Sequence, residues 1–423
     1  MREQLLQFIW LHQYFNVRDL QTSDGEPLRI LSPGRLNQHQ GPDFLDAGIR
    51  IGHTMWAGNI ELHVSAADWN RHAHEKDKLY RNVILHVVWA EPHPEDRIPA
   101  HIPLLVLQHR VPKLLLSKYE EWMTDTAFIA CERQLPQVEG PIWIPWKKQL
   151  LEQRLRLSCH MIETALKETH QHWDAVTWWR MARSFGLPVN TMAFEAVARS
   201  LPITLLARYI NHRQELEALL LGQAGLLEGS FREDHPRSLQ TLFRHLYHKH
   251  QLSPTYTPVL FLRMRPGNFP TIRLSQLAGL LAKTHSWFTL AKEATTPLQL
   301  KKALSIEAST WWTAHYTWEK SAPEKTKRLG EAMINSLLIN AFIPLLYAYG
   351  VLRNEKAFRD KAFSWLEDLR AEKNTQVAGW ANLGIHSSNA ADSQALLHLK
   401  KRYCDTKDCL QCAIGRNILA KTL

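Results

Sequence analysis

The chain has 423 residues, too many for one ordinary hydrophobic core and enough for two or three domains. A formal charge of +10 points to an anionic partner such as nucleic acid, although a solvated basic surface explains the same number, because the basic residues are spread along the chain. Five cysteines, an odd number in so long a chain, exclude a secreted disulfide framework and point to a reducing, cytoplasmic setting.

Residues 1 to about 16 read as an amphipathic helix, with Leu5, Ile9, Leu11 and Phe15 recurring near a period of 3.6. Glu3 interrupts the basic start and no small-residue cleavage site follows, so the segment is not read as a signal peptide. No run approaches the length of a membrane span, and no membrane is expected as a partner. "PLRILS" reads as a short strand. "FLDAGIRIG" alternates, with Leu45, Ala47, Ile49 and Ile51 on one face. "GNIELHV" alternates too, with Ile60, Leu62 and Val64 on one face and Glu61 and His63 on the other. "NVILHVVWA" is the unbroken apolar run of a central strand, and "IPLLVLQ" is a further strand.

Strand signals nearly vanish after "QLPQVEGPIWIP", and long helical patterns follow, the first pair ending at Gly186. The fold expected is therefore α+β: an α/β domain with a mixed sheet over 1–125, helical domains over 140–400, and a Cys-rich tail over 401–423. There is no P-loop, Rossmann glycine fingerprint, GxSxG elbow or HExxH, which disfavours NTP hydrolysis, hydride transfer and serine-hydrolase chemistry.

The "GNIELHV" strand presents Glu61 and His63 side by side opposite its apolar face, and Asp43 opens the preceding strand. If the two strands pair antiparallel, Asp43 approaches Glu61. Two close carboxylates repel unless something neutralises them, and Mg²⁺ or Mn²⁺ does so through oxygen ligands. Such an ion activates water and stabilises charge on a phosphoryl oxygen. A third group orients or activates the water, and His63 can do this, ligate metal or act as a base.

Pro42-Asp43, then after seventeen residues Glu61-Leu62-His63, resembles the PD-(D/E)xK nuclease motif, with histidine where lysine normally stands. The order helix, strand, strand, helix or loop, strand is similar to the αβββαβ core of that superfamily. The resemblance covers the first quarter of the chain and implies metal-dependent cleavage of phosphodiester bonds in DNA or RNA. It makes Asp43 and Glu61 the metal-binding acids and puts His63 in the lysine position. Glu3 is the only acidic candidate on the first helix. The departure at His63 leaves open an altered nuclease, an inactive nucleic-acid-binding or scaffold descendant, and a metal-dependent hydrolase of another substrate. Over its whole length the chain also resembles an uncharacterised bacterial family, a domain of unknown function common in Bacteroidetes, on "GPDF", "DWNRHAHEKDKLYRNVILHVV", "RMRPGNFPTIRLSQ" and "YCDTKDCLQCAIG".

"DWNRHAHEKDKLY" packs Asp68, His72, His74 and Asp77 into ten residues. An extended His-x-His places both rings on one side, and Asp77 can close a mixed site better suited to Zn, Mn or Fe than to Mg. A capped helix start, with Asp68 as N-cap, explains the same residues. His86 reads as a satisfied core histidine.

Cys404, Cys409 and Cys412 form C-x4-C-x2-C, which in a reducing compartment suggests structural zinc or an iron–sulfur cluster. Either needs a fourth ligand, which Cys131, Cys159 or His398 can supply. In count the set is similar to the iron–sulfur staple of some PD-(D/E)xK nucleases, one distant and three clustered cysteines, and Cys131, just after the α/β domain, would let such a cluster pin the C-terminus back onto it. Arg263, Arg265 and Arg273 in "RMRPGNFPTIRLSQ" are candidate phosphate contacts, or arginines that fix a loop between helices. Asn335 and Asn340 read as buried hydrogen-bond anchors.

Overall fold

The computed structural model describes residues 1–421 except Gln38, Ala73, Arg97, Ile98, Ala100, Tyr256 and Arg263, and only the backbone of Lys76. The fold is α+β: an N-terminal mixed sheet followed by a large all-α region. Two compact units emerge. The first joins Met1–Trp146 to Leu399–Leu423, and the second is Lys147–His398.

The first unit opens with helix α1 (Glu3–Leu11), which buries Leu5, Leu6, Phe8, Ile9 and Trp10. Its sheet contains β1 (Leu28–Ser32), β2 (Arg35–Leu36), β3 (Phe44–Ile51), β4 (Thr54–His63), β5 (Val83–Val88) and β6 (Leu104–Val106). The order is β1-β3-β4-β5-β6, with β2 added on β3. β1, β3 and β4 pair antiparallel, whereas β4, β5 and β6 run parallel. Every residue of the central strand β5 is buried, as its unbroken apolar run requires. Gly58 lets β4 approach β5, because a Cβ there would lie 2.5 Å from Ile84 Cγ2 and 2.6 Å from the Asn82 carbonyl oxygen.

The alternation expected along β3 is broken once. The β3–β4 register shifts between Phe44 and Ala47, and Asp46 takes a positive φ of 58°. This bulge turns Phe44 inward in place of Leu45, while Ala47, Ile49 and Ile51 face the core as expected. It also places Asp43, just before β3, beside the end of β4, with Phe44 opposite Ile60.

A parallel pair needs a crossover. Between β4 and β5 it is α2 (Asp68–Arg71) and two 3₁₀ turns, His74–Lys76 and Lys78–Asn82. Trp69 is buried there against Val83 and Ile102. The crossover covers the polar face of β4, so Glu61 and His63 are buried along with Ile60 and Leu62. Helix α3 (Lys113–Thr124) and the 3₁₀ helix Glu132–Gln137 follow, and the chain returns to this unit at Leu399, ending in helix Ala413–Ala420.

The second unit is helical. Helix Trp173–Phe185 packs on Leu187–Ser200, and Arg213–Gln223 packs on Pro270–Lys283, which is buried from Pro270 to Leu281. One segment departs from the sequence expectation: Glu331–Leu352 spans 22 residues with a mean hydropathy of 1.5, long and apolar enough to cross a membrane by length and composition. Burial of 72% of that stretch accounts for its apolarity as that of a core helix. It carries a π-turn at Leu338–Phe342, where Asn340 donates to the Ser336 carbonyl, while Asn335 Oδ1 is buried without a partner among the described residues.

Candidate metal centre

Strand pairing brings Asp43 and Glu61 together as the antiparallel arrangement requires. The Asp43 backbone N–H donates to Glu61 Oε2 at 2.9 Å, and Asp43 Oδ2 accepts the Leu62 N–H at 3.0 Å. The other Asp43 oxygen accepts the Gln7 amide of α1 at 2.8 Å. Asp43 is thus held at three points, two on strand β4 and one on helix α1. Gln7 was not singled out from the sequence; its one signal is that it is a polar residue among the buried Leu5, Leu6, Phe8 and Ile9 of α1.

Glu61 Oε1 points the other way, into a nest of imidazoles. It lies 3.4 Å from His63 Nε2 and 3.3 Å from His74 Nε2, and those two nitrogens are 3.3 Å apart. Three donors around an ion at bond lengths of 2.0–2.1 Å in tetrahedral geometry are separated by ~3.3 Å. The triangle therefore already has the size of one face of such a coordination shell. His72 adds a fourth donor on the exposed side, and the ligating nitrogens of His63, His72 and His74 all lie within 4.8 Å of one another.

Neighbouring rings fix this arrangement. Tyr80 stacks on His74 with centroids 3.8 Å apart, and Trp69 meets both His63 and His74 edge-on. His86 on β5 lies opposite Glu61 in the parallel register, and its Nε2 is 2.9 Å from His63 Nδ1. The sequence reading of His86 as a core histidine holds, but it is only half satisfied, because its Nδ1 has no partner among the described residues.

Burial dominates the electrostatics. It pushes His63 down to about 2, helped by the neighbouring His86, His74 and His72. His74 falls to about 4 and His86 to about 3, again mainly through burial. The rings are therefore neutral near pH 7, the form that ligates metal. Asp43 and Glu61 are both pushed well above the carboxylate range by burial, and for Glu61 the Asp43 charge is the next cause. Glu3 pushes both in the same direction, which places its charge close to the pair. Two acids that resist ionising beside neutral imidazoles form a set that a cation relieves.

Asp77 does not join this set. It caps the 3₁₀ helix Lys78–Asn82, its Oδ1 accepting the Leu79 N–H at 2.9 Å, so its carboxylate is engaged in the turn. The capped-turn reading therefore applies to Asp77, whereas Asp68 accepts the Ser65 N–H and pairs with Arg71. Arg273 is also corrected as a phosphate contact. It is buried in the second unit and donates to Asn268 and Gln276, and burial lowers it to about 10. It fixes the loop instead. Arg265 is exposed in that loop, and Arg263 lies outside the described residues.

A cavity of about 530 Å³ opens beside Asp43. Gln7 and Asn37, which line it, both donate to Asp43, the latter through its N–H to the Asp43 carbonyl at 2.7 Å. Arg2, Lys407 and Arg416 also line it, and among the described residues neither Arg2 nor Arg416 has a carboxylate within ion-pair distance. The first unit also gathers Cys131, Cys404, Cys409 and Cys412, none in a disulfide. Cys159 and His398 belong to the second unit, where His398 Nε2 is 3.3 Å from Gln153 Oε1.

Comparison with curated proteins finds no match, and comparison with solved structures finds none either. The family model described as protein of unknown function (DUF2851) matches residues 3–375, nearly the whole chain, and the chain belongs to that family.

Proposed function

We propose that the protein is a metal-dependent hydrolase of phosphodiester bonds in nucleic acid, with its centre at Glu61, His63 and His74. The observation that carries this reading is the 3.3–3.4 Å triangle of one carboxylate oxygen and two imidazole nitrogens, buried and largely neutral. The residues fit a divalent ion, and their nitrogen content favours Mn²⁺ or Zn²⁺ over Mg²⁺. When bound, such an ion supplies Lewis acidity toward a phosphoryl oxygen and lowers the pKa of water. Asp43 fixes the end of β4 by accepting the Leu62 N–H and holding Glu61 Oε2 with its own N–H. His72, on the open side, is placed to complete the shell or to receive a proton from water. Arg2 and Arg416, which line the cavity reached by Gln7 and Asn37, would serve as contacts for the phosphates of a bound strand.

The resemblance to PD-(D/E)xK nucleases supports this reading. The order α1, β1, β3, β4, helical crossover, β5, with β2 added on β3, Asp43 before β3 and Glu61 near the end of β4, resembles the αβββαβ core. One observation favours a second reading, a protein that binds nucleic acid without cutting it. His63 is held neutral and hydrogen-bonded to His86, so it does not reproduce the positive charge of the missing lysine.

The test is incubation of the purified protein with single- and double-stranded DNA and RNA under Mn²⁺, Zn²⁺ and Mg²⁺, beside Glu61→Ala and His74→Ala. Cleavage that both substitutions abolish supports the hydrolase. Binding without cleavage by the wild type transfers support to the second reading, and absence of both removes nucleic acid as the substrate.

A further inference from the structure

The motif that the proposed hydrolase leaves unused is the cysteine set. Its members come from three separate pieces of the first unit. Cys131 precedes the 3₁₀ helix Glu132–Gln137, Cys404 ends the π-turn Lys400–Cys404, and Cys409 and Cys412 bracket the turn that leads into helix Ala413–Ala420. Cys131, Cys409 and Cys412 are buried, with 6–8% of their surface exposed. Each thiol lies within electrostatic reach of others in the set: Cys131 feels Cys412 and Cys409, and Cys404 feels all three.

Three buried thiols and a fourth, half-buried one come from three chain segments of one unit, and none is in a disulfide. A soft cation suits such a sulfur donor set, since it binds thiolates and displaces their protons. The backbone is already arranged for that charge. The backbone of Ile414 and Gly415 favours a thiolate at Cys412, which is the N-cap residue of helix Ala413–Ala420, where the helix dipole favours an anion. Lys400 lies beside Cys404 and Lys407 beside Cys409, each favouring the thiolate. Gly415 makes the turn possible, because a Cβ there would lie 2.2 Å from the Cys409 carbonyl oxygen.

The surrounding contacts hold the pieces in register. Lys407 Nζ donates to the carbonyls of Met123 and Asp125, just before the Cys131 segment, and Lys421 Nζ donates to the Gln137 carbonyl just after it. Trp146 packs on Tyr403 with ring centroids 5.3 Å apart.

We infer that Cys131, Cys404, Cys409 and Cys412 form a four-thiolate metal centre, for zinc or an iron–sulfur cluster, that clamps residues 399–423 onto the N-terminal unit and shapes one wall of the cavity beside Asp43. The link to the cavity is direct, because Thr406, Lys407, Asp408, Leu410, Gln411 and Arg416, interleaved with the cysteines, line it opposite α1. The centre stands independently of the hydrolase reading, and its readout is metal content.

The experiment is elemental analysis and visible absorption of the full-length protein purified without oxygen, beside Cys131→Ser, Cys409→Ser and Cys159→Ser. The expected result is either about one zinc per chain in a colourless protein or about two to four irons with matching sulfide in a brown one. Both Cys131→Ser and Cys409→Ser lose that metal, and Cys159→Ser keeps it. If the two serine variants fail to fold, titrating native wild-type protein with a mercurial reagent gives the same information: metal leaves in step with modification of four thiols. A folded wild type that contains no such metal overturns the centre. Full metal retention in Cys131→Ser, or loss in Cys159→Ser, overturns the ligand set.

Discussion

His63 Nδ1 and His86 Nε2 lie 2.9 Å apart in the middle of the sheet, with His63 on β4 and His86 on the parallel neighbour β5. One of the two nitrogens must carry the proton between them. If His63 is to offer Nε2 to a metal, its proton sits on Nδ1 and His86 accepts it, which leaves the His86 proton on the partnerless Nδ1. Metal binding through His63 Nε2 therefore requires His86 to accept at Nε2. His86→Leu is expected to weaken Mn²⁺ or Zn²⁺ binding by about 10–100-fold, measured by isothermal titration calorimetry. Unchanged affinity would show that His86 only fills space.

Asp43 takes its orientation from α1 through Gln7. Replacing Gln7 with Leu keeps the volume and removes the donor. Metal affinity or cleavage is expected to fall by about 10–100-fold, while circular dichroism stays that of the wild type. Wild-type activity in Gln7→Leu would show that the Leu62 N–H and the strand pairing suffice to orient Asp43.

Metal is expected to stabilise the protein in proportion to occupancy, by about 2.7 kcal/mol at a free concentration one hundred times Kd. The rise in Tm on adding Mn²⁺ or Zn²⁺ should vanish in the double variant His63→Ala/His74→Ala. A rise that persists there would place the stabilising ion elsewhere.

The metal-free protein should have two opposed pH limbs. The folded pKa values of His63, His74 and His86 lie below the ordinary value near 6.5, so the unfolded chain takes up protons first and stability is lost as pH falls below 6.5 toward 2–4. Asp43 and Glu61 are raised instead, so stability falls as pH rises above the ordinary carboxylate range. In chelator, Glu61→Gln should flatten the alkaline limb and raise Tm at pH 8 by about 2–4 °C, the shift corresponding to about 1 kcal/mol. A Tm profile in Glu61→Gln that parallels the wild type would remove Glu61 as its cause.

Gly58→Ala tests the β4–β5 approach separately from the chemistry. The added methyl meets Ile84 and the Asn82 carbonyl well inside contact distance. A loss of about 1–3 kcal/mol is expected, seen as a lower urea midpoint. An unchanged midpoint would show that the strands separate freely there.

Much of the sheet was legible because each strand obeys its own period. β5 reads as central from six consecutive buried positions, and Glu61 and His63 share a face by simple alternation. The bulge at Asp46 was not legible, since a single residue in a left-handed conformation leaves little trace in hydrophobic pattern. Burial of the Glu61–His63 face was also hidden, because the covering segment is polar in sequence and buries Trp69 and His74 through ring packing. His74 and Asp77 had the same local signal, and only the turn geometry separates a donor aimed at Glu61 from a cap engaged with Leu79. Arg273 misleads for a related reason: a buried guanidinium that donates to Asn268 and Gln276 looks, in sequence, like one waiting for phosphate. The segment Glu331–Leu352 shows that a run broken by Asn335 and Asn340 still folds as one apolar core stretch.

The first unit is assembled from both sides of the helical one in sequence. A ribosome makes Met1–Trp146 early, yet the strip that covers Cys131 and walls the cavity emerges only after Lys147–His398 has been synthesised. During that interval the Asp43–Glu61–His74 nest can form while its neighbouring groove stays open. Completion of that cavity wall is thereby delayed until translation has passed the second unit, a timing imposed by chain connectivity alone.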